Sequence, residues 1–218
     1  MNKSKPLIFI NFKTYKQGSG KRALEIAKYC QKVNGKAQLA IAVQPTELYR
    51  IARSVAIPVF AQHIDLIEYG SHTGWILPED VKEAGAQGTL INHSEHRLPK
   101  NIIKALVKKA KDLRLITIVC AKNVGEGAAL ARFKPDYIAV EPPELIGNPK
   151  LSVCRAKPGL IKNAVDKIKA PILVGAGVKC AEDVRVALKL GAKGVLLASD
   201  VMKSKKPLNA LRELVRGV

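Results

Sequence analysis

Three short apolar runs in this sequence end in groups that can handle protons. One closes on Asn11-Phe12-Lys13, a second on Asn92-His93-Ser94-Glu95, and a third on Glu141, followed by Pro142-Pro143. A carboxylate, an imidazole and an ammonium converging on one mouth can move a proton beside a carbonyl. The carboxylate takes the proton from carbon, and the imidazole and ammonium stabilise the enediolate oxygen that develops. Two more runs end in small residues, Gly175-Ala176-Gly177 and Ala198-Ser199-Asp200, whose exposed backbone N–H groups suit a phosphate at a helix N-terminus. Each group alone has a plainer reading. Glu141 could cap a loop, His93 could be a hydrogen-bonded core histidine, and Lys13 could be one more surface lysine. Short glycine pairs recur in many strand–helix turns. The chemical reading rests on all of them standing at the same end of their runs.

The elements that must position these groups alternate along the chain. Leu7–Asn11, Leu39–Val43, Ile57–Gln62, Gly88–Asn92, Leu115–Cys120, Tyr137–Glu141, Ile172–Ala176 and Gly194–Ala198 read as strands. Most are apolar without clean alternation, as strands covered on both faces are. Segments of helical period separate them: Gly20–Val33, Pro45–Ser54, Pro78–Ala84, Pro99–Leu113, Val124–Arg132, Pro158–Ile168 and Ala181–Leu190, with Pro207–Val215 after the last strand. Several open on proline, whose missing N–H costs nothing in a first turn. Eight strand–helix units at roughly 27 residues each fit a closed (β/α)8 barrel of α/β class, compact and at the short end of its range. An open doubly wound sheet would give the same strand count. No linker interrupts the pattern, so residues 1–218 read as a single barrel domain. In the barrel, catalytic groups come from the C-terminal ends of the strands.

Composition sets outer bounds. With 47% hydrophobic and 25% charged residues the chain is an ordinary globular protein, which excludes disorder, collagen and coiled coil. No window approaches the ~18 apolar residues of a membrane span. Met1 to Pro6 lead into five apolar residues, too few for a signal-peptide core, so a soluble cytoplasmic protein is expected. Cys30, Cys120, Cys154 and Cys180 stand far apart, which suggests buried thiols in a reducing compartment and no zinc site. Thirty-seven basic against eighteen acidic residues give a net charge of +19. Nucleic-acid binding, steering of a small anion and a merely solvated surface all fit that number. The basic residues are spread along the chain and no aromatics interleave with them, which favours a solvated surface with anion steering superimposed and makes a nucleic-acid partner unexpected.

Longer segments carry a family resemblance. Asn11-Phe12-Lys13, Asn92-His93-Ser94-Glu95-His96-Arg97 and Ala139-Val140-Glu141-Pro142-Pro143-Glu144-Leu145-Ile146-Gly147 resemble the three signature segments of the triosephosphate isomerase family. Gln62-His63-Ile64-Asp65 with Gly70-Ser71-His72-Thr73-Gly74 resembles its third loop. Val174–Val178 and Gly194–Ser199 resemble its phosphate-binding strands. The likeness covers nearly the whole chain and follows the short archaeal branch. It implies a TIM barrel that interconverts glyceraldehyde 3-phosphate and dihydroxyacetone phosphate in glycolysis and gluconeogenesis, with no metal and no organic cofactor. It further implies that Glu141 is the base, His93 a neutral electrophile and Lys13 the stabiliser of negative charge. Asn11 would orient the carbonyl, Glu95 would hold the lysine, and backbone around Ile146, Gly177, Ala198 and Ser199 would grip the phosphate. Another phosphate-binding barrel enzyme, or a non-catalytic basic barrel with a degenerate lid, would share the fold but not these strand ends.

Four finer expectations follow. The segment from Glu144 to Pro158 is long enough to be a lid, yet it carries Asn148-Pro149-Lys150 where the family usually has Thr-Gly, and Pro149 cannot donate a backbone hydrogen bond. His93 precedes Ser94-Glu95, read as a helix start whose dipole would disfavour an imidazolium. Asp200 replaces a usual glycine or alanine and is read as the N-cap of a short helix, not as a charge facing the phosphate. The third loop carries Tyr69 and Trp75, large groups poorly used in solvent. The resemblance implies a homo-oligomer, a tetramer before a dimer, with Thr73 reaching a neighbour's Asn11 and Glu95.

Overall fold

The computed structural model describes residues 4–33, 37–146 and 152–218. Eight parallel strands close into a barrel in sequence order: β1 (Leu7–Asn11), β2 (Gln38–Val43), β3 (Val59–Ala61), β4 (Gly88–Ile91), β5 (Ile116–Ala121), β6 (Tyr137–Val140), β7 (Ile172–Val174) and β8 (Gly194–Leu197). Closure is made by β1, whose Leu7 lies beside Gln38 of β2 on one edge and Gly194 of β8 on the other. An open sheet is therefore excluded.

The helices are α1 (Gly20–Lys32), α2 (Pro45–Ala52), α3 (Pro78–Glu83), α4 (Lys100–Asp112), α5 (Val124–Ala131), α6 (Val153–Ala156), α7 (Pro158–Lys167), α8 (Ala181–Lys189), α9 (Ser199–Met202) and α10 (Pro207–Val215). Proline opens α2, α3, α7 and α10, as the sequence suggested, whereas Pro99 stands one position earlier as the N-cap of α4. The short turn α6 was not legible in the sequence, because four residues are too few to show a helical period, whereas α9 is the short helix expected near Asp200. None of the helices among the described residues is long and apolar enough to cross a membrane.

Both faces of each strand are buried, for two different reasons. Leu7, Phe9, Phe60, Leu90, Ile118, Tyr137, Leu173 and Leu196 point inward and fill the barrel. Phe9 meets Phe60 edge-on, with ring centroids 5.0 Å apart. The alternate residues, such as Ile8, Ile10, Ile41 and Val119, face the helices and form the outer core. β4, β6 and β8 stop one residue short of their apolar runs, and β3 and β7 are cut back further. Pro58 has no N–H to donate, so β3 starts at Val59, and Ala176 turns to a left-handed φ of 72°, so β7 stops at Val174. Cys30, Cys120 and Cys154 are buried thiols as expected, but Cys180 is half-exposed at the start of α8.

Candidate active site

The ends of β1 and β4 are fixed by backbone-directed side chains. Asn11 is 3% exposed, and its Oδ1 accepts the Lys13 N–H at 2.9 Å and an N–H of Gln62 at 3.2 Å. This holds Lys13 at a left-handed φ of 48°, uncommon for a residue with a long side chain, and turns it into the barrel mouth. There its Nζ meets Oε1 of Glu95 at 2.6 Å. Asn92 ends β4 at a φ of 61°, a conformation asparagine tolerates well. Its amide donates to the Cys120 carbonyl at 2.9 Å and accepts from Leu98 N–H at 3.0 Å, so the loop bearing His93 and Glu95 is tied down at both ends.

No helix starts at Ser94-Glu95. The chain makes a turn there and α4 begins only at Lys100, so the dipole reasoning for His93 is replaced by two local causes. Its Nδ1 accepts the Glu95 backbone N–H at 3.3 Å, while the Glu95 carboxylate stands 3.7 Å away, beyond hydrogen-bonding distance. An N–H can only donate, so Nδ1 keeps its lone pair and the neutral ring carries its proton on Nε2. Burial holds the imidazole below its ordinary value near 6.5, and the charge of Glu141 opposes this only in part. His63, buried and stacked on His96 at 4.1 Å, is lowered as well, again by burial first.

As pH falls below about 6.5, the unfolded chain takes up these protons before the folded one, so stability is lost progressively on the acid side. NMR titration of His93 should find the Nε2–H tautomer, still neutral at pH 6.5. An imidazolium at neutrality would contradict the assignment.

Glu141 lies just past β6, 4% exposed, with its N–H donating to the Ala121 carbonyl at 2.9 Å. Its Oε2 has no hydrogen-bond partner among the described residues and stands 4.0 Å from Nε2 of His93. Below it Cys120 is wholly buried, its thiol pushed up by desolvation and next by the Glu141 charge. The Glu141 side chain needs room sideways, and Gly175 supplies it. A Cβ there would collide with Glu141 Cγ and lie 2.9 Å from Oε1. In the sequence Gly175 reads only as part of a phosphate turn; its second task shows in the β6–β7 pairing of Val140 with Val174.

A small cavity of about 190 Å³ joins these parts. It is lined by Lys13, His93, Glu95, Glu141, Ile146, Gly177, Ala198 and Ser199, all those for which the resemblance implies a catalytic or phosphate-binding role except Asn11. Asn11 lines an adjoining cavity of about 580 Å³, which shares Lys13, His93 and Glu95 and also carries Thr73 and Trp75. Ala176, part of the expected phosphate turn, also lines the small cavity, together with Tyr15, Val178, Leu196 and Leu197, for which the sequence suggests no role of their own. Gly147, Asn148, Pro149 and Lys150, the altered part of the expected lid, lie outside the described residues.

Asp200 requires a correction. The N-cap of α9 is Ala198, with no side-chain cap bond, and Asp200 sits inside the first turn on the wall of the small cavity. Ser199 Oγ donates to its Oδ2 at 3.2 Å. A carboxylate there opposes an anion in ground and transition states about equally. Asp200→Asn should therefore lower KM several-fold with kcat nearly unchanged, read by steady-state kinetics.

A closed barrel with this mouth, a buried carboxylate facing a neutral imidazole beside an ammonium, defines an isomerase that works through proton transfer next to a carbonyl. The chain belongs to the triosephosphate isomerase family, whose model matches residues 6–216. It is 49% identical over 219 residues to the triosephosphate isomerase of Methanocaldococcus jannaschii, covering 97% of this chain and 100% of that one. It is 47% identical over 218 residues to that of Methanosarcina barkeri (97% and 98% covered), and 45% identical over 218 residues to that of Methanothermus fervidus (97% and 98%).

Proposed function

We propose that this enzyme interconverts glyceraldehyde 3-phosphate and dihydroxyacetone phosphate through an enediolate, as a one-domain cytoplasmic catalyst of glycolysis and gluconeogenesis. The observation that carries the reading is the buried, unpartnered Oε2 of Glu141 facing Nε2 of His93 at 4.0 Å. A buried carboxylate oxygen without a donor is costly unless its partner is the substrate.

In this mechanism Glu141 removes the proton from the carbon beside the carbonyl. The C–H electron pair forms the enediolate double bond, and the carbonyl oxygen takes the negative charge. His93 donates its Nε2–H to that oxygen and Lys13 neutralises the charge. Glu141 then returns the proton to the neighbouring carbon, the second oxygen gives its hydroxyl proton to His93 Nε2, replacing the one donated, and that oxygen becomes the carbonyl. Asn11 and Glu95 keep Lys13 in place. Backbone N–H groups near Ile146, Gly177, Ala198 and Ser199 hold the phosphate, helped by the left-handed pair Ala176 (φ 72°) and Gly177 (φ 77°). A coupled assay that interconverts the two triose phosphates tests the reading, and absence of turnover with both sugars would end it.

The same site favours assembly. Tyr69, Trp75 and Leu66 are exposed on the loop that Asp65 closes, its N–H donating to the Ile76 carbonyl at 3.0 Å and its Oδ2 accepting the Ile76 N–H at 2.7 Å. A rigid loop with an apolar tip, standing beside the cavity that carries Asn11 and Glu95, suits a second copy of the chain. Light scattering should find a homo-oligomer, a tetramer before a dimer. A fully active monomer at micromolar concentration would refute it.

A further inference from the structure

Asp183 is 1% exposed, lines neither cavity and has no part in the proton transfer. A carboxylate is buried so deeply only where donors replace water, and here the donors come from two directions. On one side, Oδ1 accepts the Ser152 hydroxyl at 2.6 Å and faces the Arg155 Nε–H at 3.3 Å. On the other, Oδ2 accepts the Lys179 N–H at 2.9 Å and faces the Cys180 thiol at 3.6 Å. One carboxylate thus ties the α6 segment to the loop between β7 and α8.

Reaching back from the first turn of α8, Asp183 resembles an ordinary helix cap, but that explains only the Oδ2 arm. The Oδ1 arm holds Ser152, and the next residue, Val153, donates its N–H to the Ala176 carbonyl at 3.1 Å. Ala176 is left-handed without being glycine, a conformation that persists only when its surroundings over-determine it. Held from both sides, Ala176-Gly177 forms the wall of the small cavity next to Glu141.

We propose that Asp183 is a positioning residue for the isomerisation, setting the Ala176-Gly177 backbone through Ser152 and Lys179 so that the phosphate is gripped throughout turnover. The proposal rests on the triose phosphate reading above. The enediolate can break its C–O bond and expel phosphate, leaving methylglyoxal after tautomerisation, so a loosened grip has a chemical readout besides rate.

The test uses the full chain with Ser152→Ala and Asp183→Asn. KM for both triose phosphates should rise about tenfold and kcat should stay within about twofold, since the displaced groups bind the non-reacting end. Affinity for sn-glycerol 3-phosphate, an unreactive phosphate ester followed by calorimetry, should weaken by the same factor. Methylglyoxal formed per turnover should rise several-fold, and the pH profile of kcat should not move. Folded variants with wild-type KM, glycerol phosphate affinity and methylglyoxal yield would overturn the proposal, whatever their melting temperatures. If Asp183→Asn does not fold, Ser152→Ala decides alone: it removes the hydroxyl that donates to Asp183 at 2.6 Å and accepts the Arg155 N–H at 3.3 Å, and leaves the carboxylate's other donors in place. Should the wild type bind glycerol phosphate without isomerising triose phosphates, the functional reading fails while the binding arm still judges Asp183.

Discussion

Glu141→Asp is expected to lower kcat by about 10²-fold, with KM changed far less. The substitution withdraws the carboxylate by one methylene from a position facing His93 Nε2 at 4.0 Å, and a displacement near 1 Å of a reacting group costs on the order of 10² in rate. Glu141→Gln keeps the shape but cannot take a proton, so its loss should be larger. Because the carboxylate acts in the transition state, kcat and kcat/KM should fall together. Wild-type kcat in both variants would dismiss Glu141 as the base.

Gly175→Ala should rival it in effect without touching any reacting group. The added methyl would occupy the space of Glu141 Cγ, and the Gly175 backbone is fixed by its N–H bond to the Val140 carbonyl at 3.0 Å, so the glutamate must swing away. A kcat loss of about 10²-fold is expected by the same positional reasoning, with the fold retained. The two sites act on one carboxylate, so their effects should not add. The double variant Gly175→Ala/Glu141→Gln should be no slower than Glu141→Gln alone. If the two losses multiply instead, the collision is not what links them.

Much of this was legible in the sequence. Eight apolar runs placed all eight strands, since strands buried on both faces announce themselves by composition, and the runs ending in Lys13, His93 and Glu141 placed those three side chains at one mouth. The errors lie where local pattern does not determine backbone path. Ser94-Glu95 looks like a helix start, yet the loop is held by Asn92 and Leu98 and the helix waits until Lys100. Asp200 looks like a cap because it is an acid near a short helix, but the N-cap of that helix lies two residues earlier, at Ala198. Gly175 and Asp183 act across strands and segments, through neighbours that spacing along the chain cannot supply.

The seam between β1 and β8 also governs when the enzyme comes into being. Leu7 and Gly194 are partners across almost the whole chain, and a Cβ at Gly194 would collide with the Leu7 carbonyl, so the ring shuts backbone against backbone. Such a contact is the slowest kind to form, because the loop it closes is the longest available. The small cavity straddles that seam, with Lys13 on one flank and Ser199 on the other. The mouth is therefore whole only when β8 is docked on β1, and whatever loosens that pairing parts Lys13 from Ser199.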